Sequence, residues 1–327
     1  MDLETFAAAR RRVERHLVPT PVFRLGTADV EGALAAIPVP VSHPSLPERL
    51  FLKAESLQVT GSFKARGALS HVLSLAPEVA ARGIVTASGG NHGAAVAYAA
   101  RVVSAPATVF LPEATPAAKA ERIRGWGAQV VRAGAVWDDA HAEALAFAAR
   151  TGATYVHPFA EADIVAGQGT LALELLEQLP EVDHIVVAIG GGGLVAGVAT
   201  AARLLRPGIR ITGVEPEGAP TLERSLAAGA VVTLDRVSTR AGTLAPRRSD
   251  PYVFELIRRN VDRVVLVSDA EMHEAARFLL AHVGLGAELA GAAALGAVLA
   301  GKVDLAGSRA PCALVCGAGD DALRPLA

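Results

Sequence analysis

The chain has 327 residues, with 31 Lys and Arg against 33 Asp and Glu, for a formal net charge of −2. No basic block marks it for nucleic acid or an anionic membrane, so the expected partner is a small molecule. Hydrophobic residues make up 51%, dominated by alanine and valine and broken by glycine, and no apolar run nears the roughly 20 residues a membrane span needs.

At roughly 100–200 residues per domain, the length suits two domains. The first helical pattern covers about residues 2–17, with Asp2, Glu4, Arg10, Arg11 and Arg12 along it. It lacks the basic-then-apolar order of a secretory leader, so the expected location is cytoplasmic. Beyond Pro19-Thr20-Pro21, short β-rich runs alternate with helix-length segments. Strands are expected at 50–54, 84–87, 107–111, 128–132, 154–156, 184–189, 209–214, 263–267 and 312–316, which predicts an α/β chain with parallel sheets. The proline-rich stretch 37–50 reads as an inserted surface loop. Compact strand–helix units between about 83 and 157 suggest a small domain interrupting a larger one, giving 1–82 and 158–327 as the large domain and 83–157 as the small one.

Residues 57–67 place Lys64 behind Thr60, Gly61, Ser62 and Phe63 and just ahead of an apolar helical run. Small polar groups and an aromatic ring suit a flat anionic ligand, and the setting suggests a lysine that forms a Schiff base. The same letters also fit a helix cap with a solvated charge behind it. Residues 86–93, with Ser88, Gly89, Gly90, Asn91 and His92, form a second turn between a strand and a helix. Its exposed amides could hold a carboxylate and its asparagine could meet a hydroxyl, or Asn91 could simply cap the helix.

A third turn, Gly190-Gly191-Gly192-Gly193, follows the apolar run 185–189 and opens the helical run from Leu194. Residues without a Cβ let the backbone wrap an anion beside a helix N-terminus, which predicts a phosphate cradle. Gly191, Gly193 and Ala196, with Glu215 about 20 residues on, also fit a dinucleotide fingerprint and hence an NAD-dependent oxidoreductase. A purely structural glycine turn is the third reading. Cys312 and Cys316 sit four apart in one strand candidate, too far for a disulfide, and no second Cys/His pair completes a zinc site. His71, His141, His184, His273 and His282 read as structural or solvated.

Together these three turns resemble the fold-type II pyridoxal-phosphate (PLP) enzymes, specifically the threonine and serine dehydratase and serine racemase group. The likeness extends over most of the chain. It includes the lysine motif, Ser88-Gly89-Gly90-Asn91-His92-Gly93, the stretch from Pro116 to Val130, His157-Pro158-Phe159, residues 164–170, the tetraglycine turn and Val214-Glu215-Pro216.

The resemblance implies a two-domain, tryptophan synthase β-like fold with three-layer parallel sheets. It implies that Lys64 bonds the cofactor and removes the α-proton, that Phe63 packs on the ring and that Asn91 bonds the ring hydroxyl. Gly190, Gly191, Gly192, Gly193 and Leu194 would hold the phosphate, and residues 88–92 the substrate carboxylate. Cys316 would face the pyridine nitrogen; such a neutral partner makes the ring a weaker electron sink and favours elimination.

The expected reaction is α,β-elimination from a β-hydroxy-L-amino acid of the threonine or serine type, giving a 2-oxo acid and ammonia. Racemisation, or dehydration of another β-hydroxy amino acid such as 3-hydroxyaspartate, is the alternative. Racemases of this group carry a serine where this chain has Gly89, so dehydration is favoured. Three departures bear on the substrate: Glu288-Leu289-Ala290-Gly291 for Glu-Pro-Thr-Gly, Arg240-Ala241-Gly242 for Ala-Asp-Gly, and Cys316-Gly317-Ala318-Gly319-Asp320 for Ser-Gly-Gly-Asn. Glu215 matches one carboxylate of the cation site in racemase-like members, but Thr221 replaces the other and Glu215 reads equally as a strand-end surface acid, so dependence on a divalent or monovalent cation is open. The resemblance also suggests a homodimer. No regulatory domain and no feedback control are expected.

Overall fold

The computed structural model describes residues 1–26 and 49–326. The elements are α1 (Leu3–Val13), β1 (Val22–Gly26), β2 (Arg49–Lys53), α2 (Lys64–Val72), α3 (Pro77–Ala80), β3 (Ile84–Ala87), α4 (Asn91–Val102), β4 (Ala107–Leu111), α5 (Ala117–Arg124), β5 (Gln129–Arg132), α6 (Trp137–Thr151), β6 (Thr154–Tyr155), α7 (Ala162–Gln178) and β7 (His184–Ala188). They continue with α8 (Gly193–Leu205), β8 (Arg210–Pro216), α9 (Thr221–Ala228), α10 (Pro251–Asn260), β9 (Arg263–Val267), α11 (Asp269–Phe278), α12 (Leu289–Leu299) and β10 (Pro311–Leu314). The proline-rich loop lies almost wholly outside the described residues.

Two sheets form. Six strands pair in the order β1-β2-β10-β7-β8-β9, and four in the order β5-β4-β3-β6. All pairings are parallel except β1 with β2, where Val22 faces Lys53 and Gly26 faces Arg49. The larger sheet is therefore mixed, a departure from the all-parallel expectation. Its antiparallel member is a five-residue edge strand with Arg24 at its centre, too short and too polar to stand out as a buried strand. The parallel strands are the opposite case. Every residue of His184–Ala188 is buried, as are those of Ile84–Ala87 and Ala107–Leu111, because helices cover both faces.

Helices rich in alanine and glycine allow that coverage. All eleven residues of α12 are buried. Where α7 crosses α8, a Cβ on Gly197 would stand 2.3 Å from the carbonyl oxygen of Val165. Glycine is needed there for the close approach of the two backbones.

Candidate active site

The turn that delivers Lys64 is fastened to the end of the larger sheet. Phe63 N donates to Cys316 O at 3.2 Å, and Ala318 N to Gly61 O at 2.8 Å. Ser62 bridges Gly317. Within the turn, Thr60 has φ 67 and ψ 3, the left-handed region that a β-branched side chain rarely enters. Such strain persists only where its surroundings hold it, and it gathers at ligand sites.

Lys64 Nζ donates to Pro158 O at 2.7 Å and lies 5.2 Å from the Phe63 ring centroid. Burial lowers its pKa to about 8, with Cys316 and Glu288 acting in the opposite direction. A share of neutral amine is thus present near neutrality, as a proton-accepting lysine requires. The solvated-charge reading of Lys64 does not describe this side chain.

Pro158 and Phe159 link the lysine to the tetraglycine turn. A Cβ at Gly191 would stand 2.2 Å from the Phe159 ring, and one at Gly193 would stand 2.7 Å from the Phe159 carbonyl oxygen. Gly192, with φ 95, caps α8, and Ser249 Oγ donates to Gly191 O at 3.0 Å. Only residues without side chains keep this loop against its neighbours while leaving amides at the start of a 13-residue helix. A Cβ on Gly190 would meet Thr243 O at 2.7 Å, and one on Gly90 would lie 3.8 Å from Thr243 Cγ2. Thr243 therefore sits between the glycine turns of the two sheets.

From the smaller sheet, β3 runs into the 88–90 turn, where Ser88 N donates to Phe110 O at 3.1 Å. Asn91 opens α4, and its Nδ2 donates to Glu288 Oε1 at 2.7 Å. It does not act as a capping side chain. His92 Nε2 lies 3.1 Å from Val156 O, and burial holds its pKa well below the usual histidine value. A Cβ on Gly89 would stand 2.8 Å from Thr115 Cγ2 and 3.1 Å from its Oγ1.

Cys316 Sγ donates to Ala290 O at 3.4 Å, and burial pushes the thiol up to about 12. It is a neutral group at any working pH. Cys312 is free and fully buried in β10, in line with a packing role.

Two features of the site escape sequence reasoning. Glu288 carries a buried carboxyl that burial pushes up to about 7, and it meets Asn91 across 197 positions of chain. Sequence reading singled it out only as part of a substituted segment. Beneath α2 lies a charge cluster in which Arg66 donates from Nε to Glu55 Oε2 at 2.7 Å and from Nη2 to Glu174 Oε2 at 2.8 Å. Lys53 Nζ pairs with Glu174 and donates to Thr20 O at 2.7 Å. Nothing in the spacing of these residues announces the cluster.

Glu215 has another use than the sequence allowed for. It is 1% exposed, and its two oxygens accept from Leu222 N and Glu223 N of α9, each at 2.8 Å. Those bonds cap the helix and leave no acid facing a ribose, so the dinucleotide reading loses its second half. Thr221 Oγ1 donates to Pro246 O at 2.7 Å. Among the described residues, no group of three or more His, Cys, Asp or Glu is arranged to hold a metal ion. Most of the remaining histidines have partners: His184 reaches Thr212 Oγ1 and His273 reaches Arg324 O, both at 2.8 Å, and His141 reaches Tyr155 OH at 2.7 Å.

A desolvated lysine, a glycine cradle at a helix start and a neutral thiol, gathered where two α/β sheets meet, define an enzyme site of the kind that holds a phosphorylated carbonyl cofactor through a lysine. The chain belongs to the pyridoxal-phosphate dependent enzyme family, whose model matches residues 19–317. It is 40% identical over 260 residues to an L-threonine ammonia-lyase of Thermotoga maritima, covering 80% of this chain and 65% of that protein. It is 39% identical over 325 residues to a phenylserine dehydratase of Ralstonia pickettii, covering 98% and 94% of the two chains. The structure of maize serine racemase superposes with a TM-score of 0.88 at 32% identity, covering 97% of this chain and 93% of that one.

The site fits the family's cofactor. Ser62 Oγ and Thr60 Oγ1 are buried without partners, and the tetraglycine turn leaves backbone amides at the start of α8, a donor set suited to a phosphate.

Proposed function

We propose that this chain is a PLP-dependent ammonia-lyase that converts a β-hydroxy-L-amino acid of the threonine or serine type into a 2-oxo acid and ammonia. The observation that carries the reading is the amine of Lys64, lowered by burial to about pKa 8 and bonded to Pro158 O beside the Phe159 that packs on the tetraglycine turn. Relatives with the names threonine ammonia-lyase and phenylserine dehydratase support it.

In this reading Lys64 holds the cofactor, Phe63 lies against its ring, and Gly190, Gly191, Gly192, Gly193 and Leu194 hold its phosphate. Asn91 donates to the ring hydroxyl and Cys316 faces the ring nitrogen. Bound there, pyridoxal phosphate supplies a ring that withdraws electrons from the α-carbon of an attached amino acid. The amides of residues 88–92 orient the substrate carboxylate. Lys64, neutral once released, takes the α-proton, and the β-hydroxyl leaves with a proton as water. Hydrolysis of the resulting enamine would then consume one water, so the net change is amino acid to 2-oxo acid plus ammonia. Cys316 stays a neutral thiol, which weakens electron withdrawal at the ring nitrogen and favours loss of the β-group.

Racemisation needs a proton donor on the face opposite the lysine. At position 89 there is no side chain, and the Thr115 methyl stands where one would go. That favours elimination. The smaller sheet and its helices, residues 83–157, form a small domain on the large one, and the active species is a homodimer. No helix among the described residues is long and apolar enough to cross a membrane.

The test is a screen of serine, threonine, phenylserine and 3-hydroxyaspartate in both configurations for 2-oxo acid release, beside Lys64→Ala. Release from an L-configured substrate that Lys64→Ala abolishes together with the yellow colour is expected. A D-configured compound as the sole substrate, or an active Lys64→Ala, would overturn the proposal.

A further inference from the structure

Thr60 is the only β-branched residue with positive φ among the described residues, and it stands four positions ahead of Lys64. Conformations of this kind cost about 1–3 kcal/mol. Its own hydroxyl is buried without a partner, so the side chain does not repay that cost. The backbone on either side is tied down, since Gly61 N donates to Gln58 O at 2.7 Å and Ala318 N to Gly61 O at 2.8 Å. The Thr60 carbonyl is held by one side chain from the other sheet: the guanidinium of Arg122, on α5, donates to it.

The same Nη2 lies 3.3 Å from Asn91 Oδ1. Asn91 Nδ2 in turn donates to Glu288 Oε1 at 2.7 Å. The amide is therefore oriented from both ends, oxygen toward the cation and nitrogen toward the acid, leaving one N–H for a ligand. Gly61 follows Thr60 with φ 74, a left-handed conformation that glycine adopts at little cost.

We infer that Arg122 is a positioning residue that fixes two parts of the site at once, holding Thr60 in its left-handed conformation and setting the direction of the Asn91 amide. One guanidinium thus couples the turn that delivers Lys64 to the group that would meet the cofactor's ring hydroxyl. The cofactor contact rests on the proposed function; the grip on Thr60 and Asn91 does not.

Arg122→Ala and Arg122→Lys are compared with the parent, with Asn91→Ala and with the double variant Arg122→Ala/Asn91→Ala. In protein freed of cofactor, amide exchange at residues 60–62 should quicken about tenfold in Arg122→Ala, the effect of losing one charge-assisted hydrogen bond, while exchange in β7 and β8 stays unchanged. The dissociation constant for pyridoxal phosphate should rise about tenfold, with a shift in the visible band of the bound cofactor. Arg122→Lys should recover only part of this, since an ammonium lacks the forked reach of a guanidinium. Added to Asn91→Ala, the arginine substitution should weaken cofactor binding less than it does in the parent, because only its grip on Thr60 is then left to lose. Unchanged exchange at 60–62, or fully additive losses in the double variant, would overturn the inference. If the parent takes up no pyridoxal phosphate, the proposed function fails, and the exchange measurement alone decides the role of Arg122.

Discussion

At the scale of single residues the chemistry turns on where protons sit. Burial takes Lys64 from 10.5 to about 8 in the folded, cofactor-free protein, while the unfolded chain keeps the ordinary value. Between those two values the unfolded chain binds more protons, so this group makes stability rise with pH across that window. Lys64→Met removes the penalty. Denaturant melts of cofactor-free protein should show the variant more stable near pH 7 by on the order of 2–3 kcal/mol, with the difference shrinking toward pH 10.5. A difference that does not change with pH would mean the amine is not desolvated as the structure has it. Gly89 tests the reaction outcome. Gly89→Ser alone pushes its Cβ to 2.8 Å from Thr115 Cγ2, so it should lower elimination about tenfold without bringing racemisation, by analogy with the usual cost of a misplaced substrate-binding group. Thr115→Ala added to it should restore the lost rate, with 2-oxo acid release reading elimination and chiral analysis of recovered serine reading racemisation. Lys64, Asn91 and the tetraglycine turn stood out as candidates in the sequence because their neighbours in the chain carry the motif. Glu288 and Arg122 did not, since their partners lie 197 and 62 positions away and only the fold brings them together.

At the scale of elements, the same limit explains what the sequence showed of the fold. The central parallel strands Ile84–Ala87, Ala107–Leu111 and His184–Ala188 read clearly because both faces are buried, which makes them mostly apolar runs. The edge strand Val22–Gly26 has Arg24 at its centre and ends beside residues outside the described part of the chain, so it gave no such run. Glu215 shows how an apparent site residue can be a structural one. Its position at the end of β8 suits a ribose or a cation, yet α9 takes both oxygens through Leu222 N and Glu223 N. Glu215→Ala should cost about 1–3 kcal/mol in thermal or denaturant unfolding, the price of a lost cap and two orphaned amides. Chelators should leave the activity of the parent unchanged if capping is the whole role of this acid; a loss of activity with EDTA that magnesium restores would return Glu215 to the list of ligands. Under α2, the Glu55–Arg66–Glu174–Lys53 cluster is a second structural use of charge. Removing one member of a buried network strands its partners, so Glu55→Ala should destabilise by about 3–5 kcal/mol. The turn that presents Lys64 follows Glu55 directly, and its exchange rates should rise with that loss. A variant of unaltered stability would show that the cluster is solvated in solution.

At the scale of the molecule, the site belongs to both sheets and to neither alone. Lys64, Cys316 and the tetraglycine turn come from the six-stranded half, and Asn91 with the 88–90 turn from the four-stranded half. Several groups join the halves at the site, among them Thr243 between Gly90 and Gly190, Glu288 against Asn91, and Arg122 against Thr60. A ligand bound across that seam adds contacts to both halves at once, and by mass action it stabilises the folded protein by about 2.7 kcal/mol at a hundredfold excess over its dissociation constant. Saturating pyridoxal phosphate should therefore raise the Tm of the cofactor-free protein by several degrees and slow amide exchange on α4 as well as around α8. Gly191→Ala supplies the contrast, because its Cβ would stand 2.2 Å from the Phe159 ring and must push the loop or the ring aside. That variant should fold, with a lower Tm, and lose most of the cofactor-induced rise. If it kept the full rise, the tetraglycine turn would not be the phosphate site; if the cofactor protected α8 but not α4, the four-stranded half would take no part in holding it.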